Sequence, residues 1–368
     1  MNLIKKKVSL IGTNGLPANY GGFETLVKYL ANDLDQDYDL YCYCSKTAKE
    51  NRLAKYKNTN LIYIPFKANG WQSMIYDALS IIDSLIKHDV LIILGFSGVF
   101  AFPLKVIFRK KIIFNIGGVE WHKVRGSSYT ARLEILTKKW FEKICIKYSD
   151  TVIVDNQVLF DYVLSEYQIT PVLAEYGGDH AVNESITPEI LLNYPFLNTN
   201  YDVTISRAQE DMNIHLVIDA YKSTPERTLV VISNWEISEY GKNLKAENLN
   251  QYENIILLDA IYDLKSLNII RSNCELYLHT HSLCGTAPSL TEAMSLKLPV
   301  ICFDVPTNRA STEKKSYYFT NKESLKEILN SLSPDKIQTL SHDMFEIANR
   351  RYRWKRIVTL YKECVDRL

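Results

Sequence analysis

Four of the 14 glycines in the chain lie close together in the stretch GTNGLPANYGGFET, residues 12–25. Gly12 and Gly15 follow a short apolar run, and the pair Gly21 and Gly22 comes directly before a helical pattern. Glycine lets a ligand approach the main chain closely. The amides at a helix N-terminus bind anions such as a diphosphate. We therefore predict that Gly21 and Gly22 contact a ligand, although a glycine-rich surface turn would explain Gly12 and Gly15 equally well.

The spacing of these glycines disfavours two common phosphate-binding loops. It does not match G-x-G-x-x-G, and no Gly-Lys-Ser/Thr follows. Nicotinamide-dependent dehydrogenases and P-loop ATPases therefore lose support. What remains is a long loop that ends at a helix start.

A second candidate anion site lies in LHTHSLCGTAPSLTEAMSLKLPVICFD, residues 278–304. A strand is predicted to end near His279, and a loop then leads into a helix that carries Glu292 on its predicted first turn. Glu292 either holds a sugar hydroxyl or simply balances the helix dipole. The backbone amides that would face an anion belong to Thr286, Ala287, Pro288, Ser289 and Leu290.

Two cations follow predicted strands in the same half of the chain. Arg207 comes directly after VTIS, and Lys242 lies in NWEISEYGK. Arginine binds phosphate through a planar fork, and lysine contributes a point charge. Either residue could equally be a solvated surface charge.

Apolar strand patterns alternate with helical patterns in both halves, which is typical of parallel sheets covered by helices. We predict two doubly wound α/β domains, with the boundaries 1–176, a linker at 177–200, 201–350, and a basic amphipathic helix at 351–368 that packs back on the first domain. The predicted strands are 7–12, 38–43, 61–65, 90–94, 111–116 and 151–154 in the first half, and 201–206, 228–233, 254–259, 275–280 and 299–304 in the second. Helices are predicted between the strands of the first half at 23–33, 73–87 and 129–148.

The composition of the 368 residues is that of a soluble globular protein, with 46% apolar residues and a net charge of +1. That charge gives no general attraction to nucleic acid. The start, MNLIKKKVSLIG, predicts a first strand and not a signal peptide, so we expect a cytoplasmic protein. The apolar stretch 90–108 contains Pro103 and Lys105, and we interpret it as a strand, a turn and a helix start.

Residues 100–149 are strongly basic and include Trp140, Phe141 and Ile144 near several lysines. This pattern favours a surface that rests on anionic lipid, with an ordinary solvated helix as the alternative. The Asp-x-Asp spacings in DLDQDYD, residues 33–39, lie between a helix and the next strand, so we predict a solvated turn and no metal site.

Five segments in order resemble the bacterial capsule and exopolysaccharide rhamnosyltransferases of glycosyltransferase family 4. They are IGTNGLPANYGGFETLVKYL, YGGDH, SRAQEDMNIH, NWEISEYGK and HTHSLCGTAPSLTEAMSLKLPVICFDVPTNR. The resemblance implies a GT-B fold, in which two Rossmann-like domains face each other across a cleft. It implies a retaining, metal-independent and cofactor-free enzyme that moves a sugar from dTDP-L-rhamnose to a polyprenyl-diphosphate-linked saccharide at the inner face of the plasma membrane.

The resemblance also implies roles for single residues. Gly21, Gly22 and residues 286–290 would contact the donor, Arg207 would neutralise its diphosphate, and Glu292 would hold the nucleotide ribose. Glu120 and His122, in NIGGVEWHK, would contact the acceptor or the donor sugar and are candidate catalytic residues together with Arg207.

The chain departs from the family pattern at three positions. Cys284 stands where the family has a first glutamate, Asn213 where it usually has a lysine, and Gly117 where related sequences often have an aspartate. Lys242 is a candidate to replace the missing lysine at the phosphate. A UDP- or GDP-hexose donor, a non-catalytic sugar-nucleotide-binding relative, and an epimerase or phosphorylase on the same fold stay open as alternatives.

Overall fold

The computed structural model describes residues 5–18, 21–47, 52–96, 98–119 and 128–368. The chain divides into two compact units. Met1–Ala174 and Lys355–Leu368 form the first unit, and Glu175–Trp354 form the second.

The strands of the first unit are short and mostly apolar. They are β1 (Lys7–Ile11), β2 (Asp39–Cys44), β3 (Lys55–Tyr56), β4 (Thr59–Tyr63), β5 (Val90–Leu94), β6 (Lys111–Asn115), β7 (Thr151–Val154) and β8 (Val172–Leu173). Over the described residues they form one sheet in the order β3-β4-β2-β1-β5-β6-β7-β8. All neighbouring strands pair in parallel except β3 and β4. All five residues of β5 are buried, because strands of a parallel sheet are covered on both faces.

Helices connect these strands. They are α1 (Gly22–Leu34), α2 (Ser73–Lys87), α3 (Lys105–Phe108), α4 (Tyr129–Lys147) and α5 (Gln157–Tyr167). In α1 the buried residues recur at helical spacing, from Leu26 to Leu34, so one face packs on the sheet. In α4, Phe141 and Ile144 pack against the core, and only Trp140 of the three predicted lipid-facing residues is exposed.

The second unit repeats this architecture. Its strands are β9 (Asp202–Ile205), β10 (Leu229–Ser233), β11 (Ile255–Asp259), β12 (Tyr277–His279), β13 (Val300–Phe303) and β14 (Tyr317–Phe319). They pair in parallel in the order β11-β10-β9-β12-β13-β14 over the described residues. Its helices are α6 (Pro188–Asn193), α7 (Ile214–Tyr221), α8 (Glu239–Asn248), α9 (Leu264–Ser272), α10 (Pro288–Ser295), α11 (Pro306–Ser311), α12 (Lys322–Ser331) and α13 (Pro334–Arg351).

Alternate residues of the second sheet enter two separate apolar cores. Val230 and Tyr277 pack into the core that includes Leu290 of α10, whereas Val231 and Leu278 pack into the core that includes Leu325 of α12. This alternation follows from the period of two in a strand. Both units are therefore α/β layers on parallel sheets, and the predicted fold class is confirmed.

The last helix, α14 (Trp354–Asp366), runs almost entirely within the first unit. Three of its contacts hold it there. Asn115 Nδ2 donates to the Tyr361 hydroxyl at 2.5 Å, Lys6 Nζ donates to the Val365 carbonyl at 2.9 Å, and the Tyr38 hydroxyl donates to Asp366 at 2.5 Å. The apolar stripe of the helix is buried.

Residues 177–200, predicted as a linker, lie in the second unit. They contain α6, and Ala181, Ile190 and Leu197 belong to the apolar core of that unit. These apolar residues are too widely spaced to show a strand or helix period. The sequence did not predict the strands β3, β8 and β14, which have two or three residues and lie at sheet edges, and a pattern so short has no detectable period.

We predict that Gly12→Ala lowers the free energy of unfolding by about 3 kcal/mol. A Cβ at Gly12, where φ is +102°, would lie 2.1 Å from the Leu94 carbonyl oxygen. Gly70→Ala is the matched control, because φ there is +71° but no heavy atom lies within 4 Å of the added Cβ. That variant should lose only about 1 kcal/mol. Equal shifts of the urea unfolding midpoint in the two variants would contradict the close approach of β1 to β5.

Candidate functional site

In each sheet, one strand marks the point where the winding direction reverses. β1 pairs with β2 on one side and β5 on the other, and β9 pairs with β10 and β12. The loop after such a strand and the loop after its neighbour, β5 or β12, run in opposite directions. The crevice between the two loops is the usual ligand site of an open parallel sheet. The predicted site residues that the structure describes follow β1, β9, β10 and β12.

In the first unit, Gly12 and Gly15 have packing roles. Gly12 lies against the end of β5, and a Cβ at Gly15 would lie 2.4 Å from the Cys44 sulfur atom. Both residues have φ near +100°, a conformation that other residues rarely adopt. Close packing of the chain explains these two glycines without a ligand.

Gly21 is the N-cap of α1, with φ of +123°, and Gly22 is the first residue of the helix. The Glu24 carboxylate lies against Gly21, since a Cβ there would be 2.1 Å from Oε2. Glu24 Oε1 accepts hydrogen bonds from the backbone and side-chain nitrogens of Asn14, at 3.2 and 3.0 Å. The start of α1 thus already faces an anion, and a diphosphate there would meet a like charge unless Glu24 turned away. The donor contact of Gly21 and Gly22 stays a prediction.

The loop after β6 explains one departure from the family pattern. Gly117 has φ of +61°, and a Cβ there would lie 2.4 Å from the ring of Phe23 in α1. An aspartate at this position would collide with that ring. Glu120 and His122 lie outside the described residues, so their catalytic roles stay predictions.

In the second unit, the loops after β9 and β12 are joined by hydrogen bonds. The backbone nitrogen and hydroxyl of Ser282 donate to the Asp211 carbonyl at 3.0 and 2.7 Å, and Asn213 Nδ2 donates to the Thr280 carbonyl at 3.0 Å. Asn213 also adopts φ of +50°, which asparagine tolerates better than most residues. Asn213 therefore has a structural role where the resemblance implies a lysine.

Arg207 and Lys242 differ in their surroundings. Arg207 is exposed, and its side chain makes no hydrogen bond or ion pair within the described parts of the chain. Lys242 is also exposed, but it pairs with Glu239 at 3.1 Å on the first turn of α8. Arg207 is thus available to bind an anion. The phosphate contact of Lys242 stays a prediction, and a phosphate would have to compete with Glu239 for this lysine.

Several buried polar atoms near Arg207 have no hydrogen-bond partner in the described structure. They are the hydroxyl oxygens of Ser206 and Thr280 and both ring nitrogens of His281. Leaving a buried polar group unpaired costs about 1–3 kcal/mol, and folded proteins rarely do so without a reason. These residues follow β9 and β12 directly, so the reversal point of this sheet has unused capacity to bind a polar ligand.

His281 is an uncharged imidazole at neutral pH. Burial, together with the nearby positive charge of Arg207, lowers the pKa of His281 to about 4. Its ring lies 4.5 Å from that of His279, whose pKa burial holds well below the usual range. His281 can therefore offer a neutral donor or acceptor beside a full positive charge.

The predicted anion site at residues 286–290 is smaller than expected. Ala287 is the N-cap of α10, Pro288 has no N–H, and the Leu290 N–H already donates to the Ala287 carbonyl at 3.1 Å. Two of the five positions thus offer no amide to a ligand. Ser289 is half-buried and Thr286 is buried, and their donor contacts stay predictions.

Glu292 lies on the second turn of α10, because the helix begins at Pro288, so the predicted first-turn position was wrong. Its two oxygens have different partners. His180 Nε2 lies 3.0 Å from Oε1, and Arg271 Nη1 contacts Oε2. Burial raises the pKa of this carboxyl, but the charge of Arg271 and the hydrogen bond from His180 outweigh burial and lower the pKa to about 2.

The ion pair with Arg271 and the contact with His180, not the helix dipole, hold Glu292 in its ionised form. Its side chain is 15% exposed. A carboxylate has about four lone-pair directions, so two partners leave room for ligand hydroxyls. The ribose contact implied by the resemblance stays a prediction.

The sequence interpretation missed Arg271 and His180. Arg271 is in α9 and His180 is in a loop, and no spacing in the sequence connects either to Glu292. The third missed residue, His281, did leave a signal. His279 and His281 alternate at the end of an apolar strand, where the period of two places them on the same side.

Two further features concern metals and membranes. Among the residues that the structure describes, no three His, Cys, Asp or Glu side chains could together hold a metal ion. Metal independence itself stays a prediction. Within the same residues, every helix is too short or too polar to cross a bilayer.

Comparison with protein families identifies the second unit. Residues 195–351 match the family described as glycosyl transferases group 1, and residues 5–179 match a domain of unknown function, DUF1972. The chain therefore carries a glycosyltransferase group 1 domain. None of the curated proteins matches the sequence.

Solved structures share the fold of nearly the whole chain. Sucrose-phosphate synthase from Thermosynechococcus elongatus is 15% identical, with a TM-score of 0.82 and 99% of both chains covered. HepE from Anabaena, in complex with UDP, is 15% identical, with a TM-score of 0.76 over 99% of this chain and 100% of that one. An E. coli trehalose-6-phosphate protein bound with UDP-2-fluoro glucose is 10% identical, with a TM-score of 0.74 and 99% of both chains covered. The fold is that of the GT-B glycosyltransferases, as predicted.

We predict that His281 stays neutral from pH 8 down to about pH 5. Histidine proton NMR should show a midpoint near 4, with the signal assigned by its loss in His281→Asn. The unfolded ring gains its proton near pH 6.5, whereas the folded ring gains it only near pH 4, so acid between these values favours unfolding. The free energy of unfolding should fall over that window, and His281→Asn should remove part of the fall. A midpoint near 6.5 would contradict the burial of this ring.

Proposed function

We propose that this protein is a glycosyltransferase that takes a sugar from a nucleoside-diphosphate donor bound at the carboxyl edge of the second sheet. The observation that carries the proposal is a cluster of polar groups at the reversal point of a glycosyltransferase group 1 domain. Within the described residues, the hydroxyls of Ser206 and Thr280 and the ring nitrogens of His281 have no hydrogen-bond partner, and the exposed Arg207 follows Ser206 directly. A guanidinium, two hydroxyls and a neutral imidazole suit a diphosphate and its attached sugar. The carboxylate of Glu292 suits the ribose hydroxyls.

The proposed reaction places modest demands on side chains. The donor carries a good leaving group, so the protein must stabilise negative charge on the departing diphosphate and align an acceptor hydroxyl. Arg207 supplies the positive charge, and His281 donates a hydrogen bond without adding a second charge. In a retaining reaction the departing phosphate itself takes the acceptor proton. Glu120 and His122 remain the candidates to orient the sugar or the acceptor.

The identity of the donor is the finer part of the proposal. The resemblance of the motifs favours dTDP-L-rhamnose, and the acceptor would be a polyprenyl-diphosphate-linked saccharide in capsule or exopolysaccharide synthesis. The relatives whose structures contain UDP or UDP-2-fluoro glucose favour a uridine donor. We keep dTDP-L-rhamnose as the proposed donor and a UDP- or GDP-hexose as its competitor.

One assay separates these possibilities. The protein is incubated with dTDP-L-rhamnose, UDP-glucose or a GDP-hexose, with and without a lipid-linked saccharide, and nucleotide release is measured. A transferase releases nucleotide only when the acceptor is present, an epimerase of the hydrolysing kind releases it without acceptor, and a non-catalytic relative binds without release. The proposal fails if no sugar nucleotide binds.

Arg207→Met is predicted to reduce kcat/KM for the donor by about 100-fold or more, because neutralisation of the leaving group is lost. Arg207→Lys should recover part of this loss, since it keeps the charge but not the planar fork. Arg350→Met removes an exposed arginine of the same unit that pairs with Glu313, and it serves as the control. Wild-type kcat/KM in Arg207→Met would remove Arg207 from the site.

The proposed membrane contact lies on the first unit. Val106 and Ile107 of α3 are 63% and 73% exposed, and Leu136 and Trp140 of α4 are 63% and 51% exposed. The ring of Phe100, which precedes α3, lies 6.1 Å from that of Trp140. The same stretch of chain carries the basic surplus of residues 100–149. Exposed apolar side chains beside lysines and arginines favour peripheral binding to anionic lipid, which suits a lipid-linked acceptor on the cytoplasmic side.

Sedimentation with liposomes tests this contact. The double variant Ile107→Ser, Trp140→Ser should lose most of its binding to vesicles that contain anionic lipid, because two large apolar anchors are removed. Leu192→Ser, at an 84% exposed leucine of the second unit, should bind like the wild type. If the wild type does not discriminate between anionic and neutral vesicles, the membrane part of the proposal fails, whatever the outcome of the donor assay.

A further inference from the structure

The segment Tyr-Gly-Gly-Asp-His, residues 176–180, packs directly against α10, the helix that carries Glu292. A Cβ at Gly178 would lie 2.2 Å from the Thr291 carbonyl oxygen, which precedes Glu292 in the chain. Only glycine allows this approach. It brings His180, two residues later, within reach of the Glu292 carboxylate.

The same segment surrounds Trp354, the last residue of the second unit. A Cβ at Gly177 would lie 2.5 Å from the indole ring, and the Tyr176 ring lies 4.8 Å from it. The Trp354 backbone nitrogen donates to Asp179 Oδ1 at 2.8 Å. Trp354 is 3% exposed, so these contacts hold its indole in one place.

The contact between Trp354 and His180 determines which nitrogen of His180 carries the proton. Trp354 Nε1 lies 3.0 Å from His180 Nδ1, and an indole nitrogen can only donate. His180 Nδ1 must therefore accept, which leaves the ring proton on Nε2. That nitrogen donates to Glu292 Oε1 at 3.0 Å. A chain of two directed hydrogen bonds thus runs from Trp354 through His180 to Glu292.

Arg271 completes the support of the carboxylate from another element. It is 4% exposed in α9 and contacts the other oxygen, Oε2. One anchor alone would let the carboxylate turn about its partner, whereas anchors on both oxygens fix its plane. The open lone pairs are then oriented before a ligand arrives, which reduces the entropy lost on binding.

We propose that His180 is a positioning residue for ligand binding by Glu292, and that Trp354 keeps it in the Nε2–H form which this role requires. This inference rests on the proposed function, because the ligand hydroxyls are those of the donor ribose. It assigns the Tyr-Gly-Gly-Asp-His segment to the support of the donor site.

Three variants of the full chain test the proposal. His180→Leu removes the donor, His180→Gln retains an N–H at a similar reach, and Trp354→Phe keeps an aromatic ring but loses the indole N–H. His342→Leu is the control, because His342 is exposed on α13. Affinity for UDP and dTDP is measured by titration calorimetry, KM and kcat with the active donor, and folding by thermal melting. Nitrogen-15 NMR of histidine-labelled protein, assigned with His180→Gln, reports which ring nitrogen of His180 carries the proton.

His180→Leu should weaken nucleoside diphosphate binding and raise KM about 10-fold with kcat nearly unchanged, because a hydrogen bond to a charged group is lost. His180→Gln should recover most of the affinity, and Trp354→Phe should fall between the two. The NMR spectrum of the wild type should show a protonated Nε2 and an unprotonated Nδ1.

The outcomes separate this inference from the proposed function. If the wild type binds UDP or dTDP and His180→Leu binds equally well, the inference is wrong and the proposed function stands. The same holds if His180→Gln is no better than His180→Leu, or if NMR finds the proton on Nδ1. If the wild type binds neither of these nucleotides nor GDP, both proposals fall. Equal losses in His342→Leu would show a general effect of histidine loss and would also overturn the inference.

Discussion

The architecture of both units depends on one constraint of parallel sheets, which is that the carboxyl ends of all strands meet at the same edge. The helices that connect the strands cover both faces, so this edge is where loops from distant parts of the sequence come together. The loop after β9 leads toward β10, and the loop after the neighbouring β12 leads toward β13, in the opposite direction. Residues more than 70 positions apart, such as Ser206 and Thr280, thereby become neighbours. Most of the buried polar groups of the second unit that lack a partner within the described residues lie there.

Electrostatics separates the structural charges of this edge from those available to a ligand. Glu292 and Arg271 satisfy each other, and Lys242 pairs with Glu239. Arg207 has no such partner among the residues that the structure describes, and its charge helps to keep His281 neutral. A positive group without a counter-ion beside an uncharged imidazole is an arrangement that a bound anion would complete. The paired Glu292 contributes differently, because its partners hold it ionised and oriented.

The first unit shows how closely a packing role and a ligand role can resemble each other in a sequence. Gly12, Gly15 and Gly117 lie where a carbonyl oxygen, the Cys44 side chain or the Phe23 ring approaches too closely for a side chain. Gly21 is the N-cap of α1, but the carboxylate of Glu24 already lies beside it. Glycine enrichment at a strand-to-helix junction thus indicates close packing around the backbone. It does not by itself distinguish a bound ligand from a neighbouring part of the chain.

The sequence by itself determined the two parallel α/β layers, most strand positions to within one or two residues, and the long helices α1, α2 and α4. These elements bury apolar residues at a regular period, and a period is a local property. It also indicated Arg207 and the residues around Glu292, because both follow strong strand patterns. Only the tertiary structure decided that Arg271, His180 and Trp354 support Glu292, that Asn213 joins two loops, and that Phe141 faces the core. These roles depend on contacts between residues far apart in the chain, and no local spacing records such contacts.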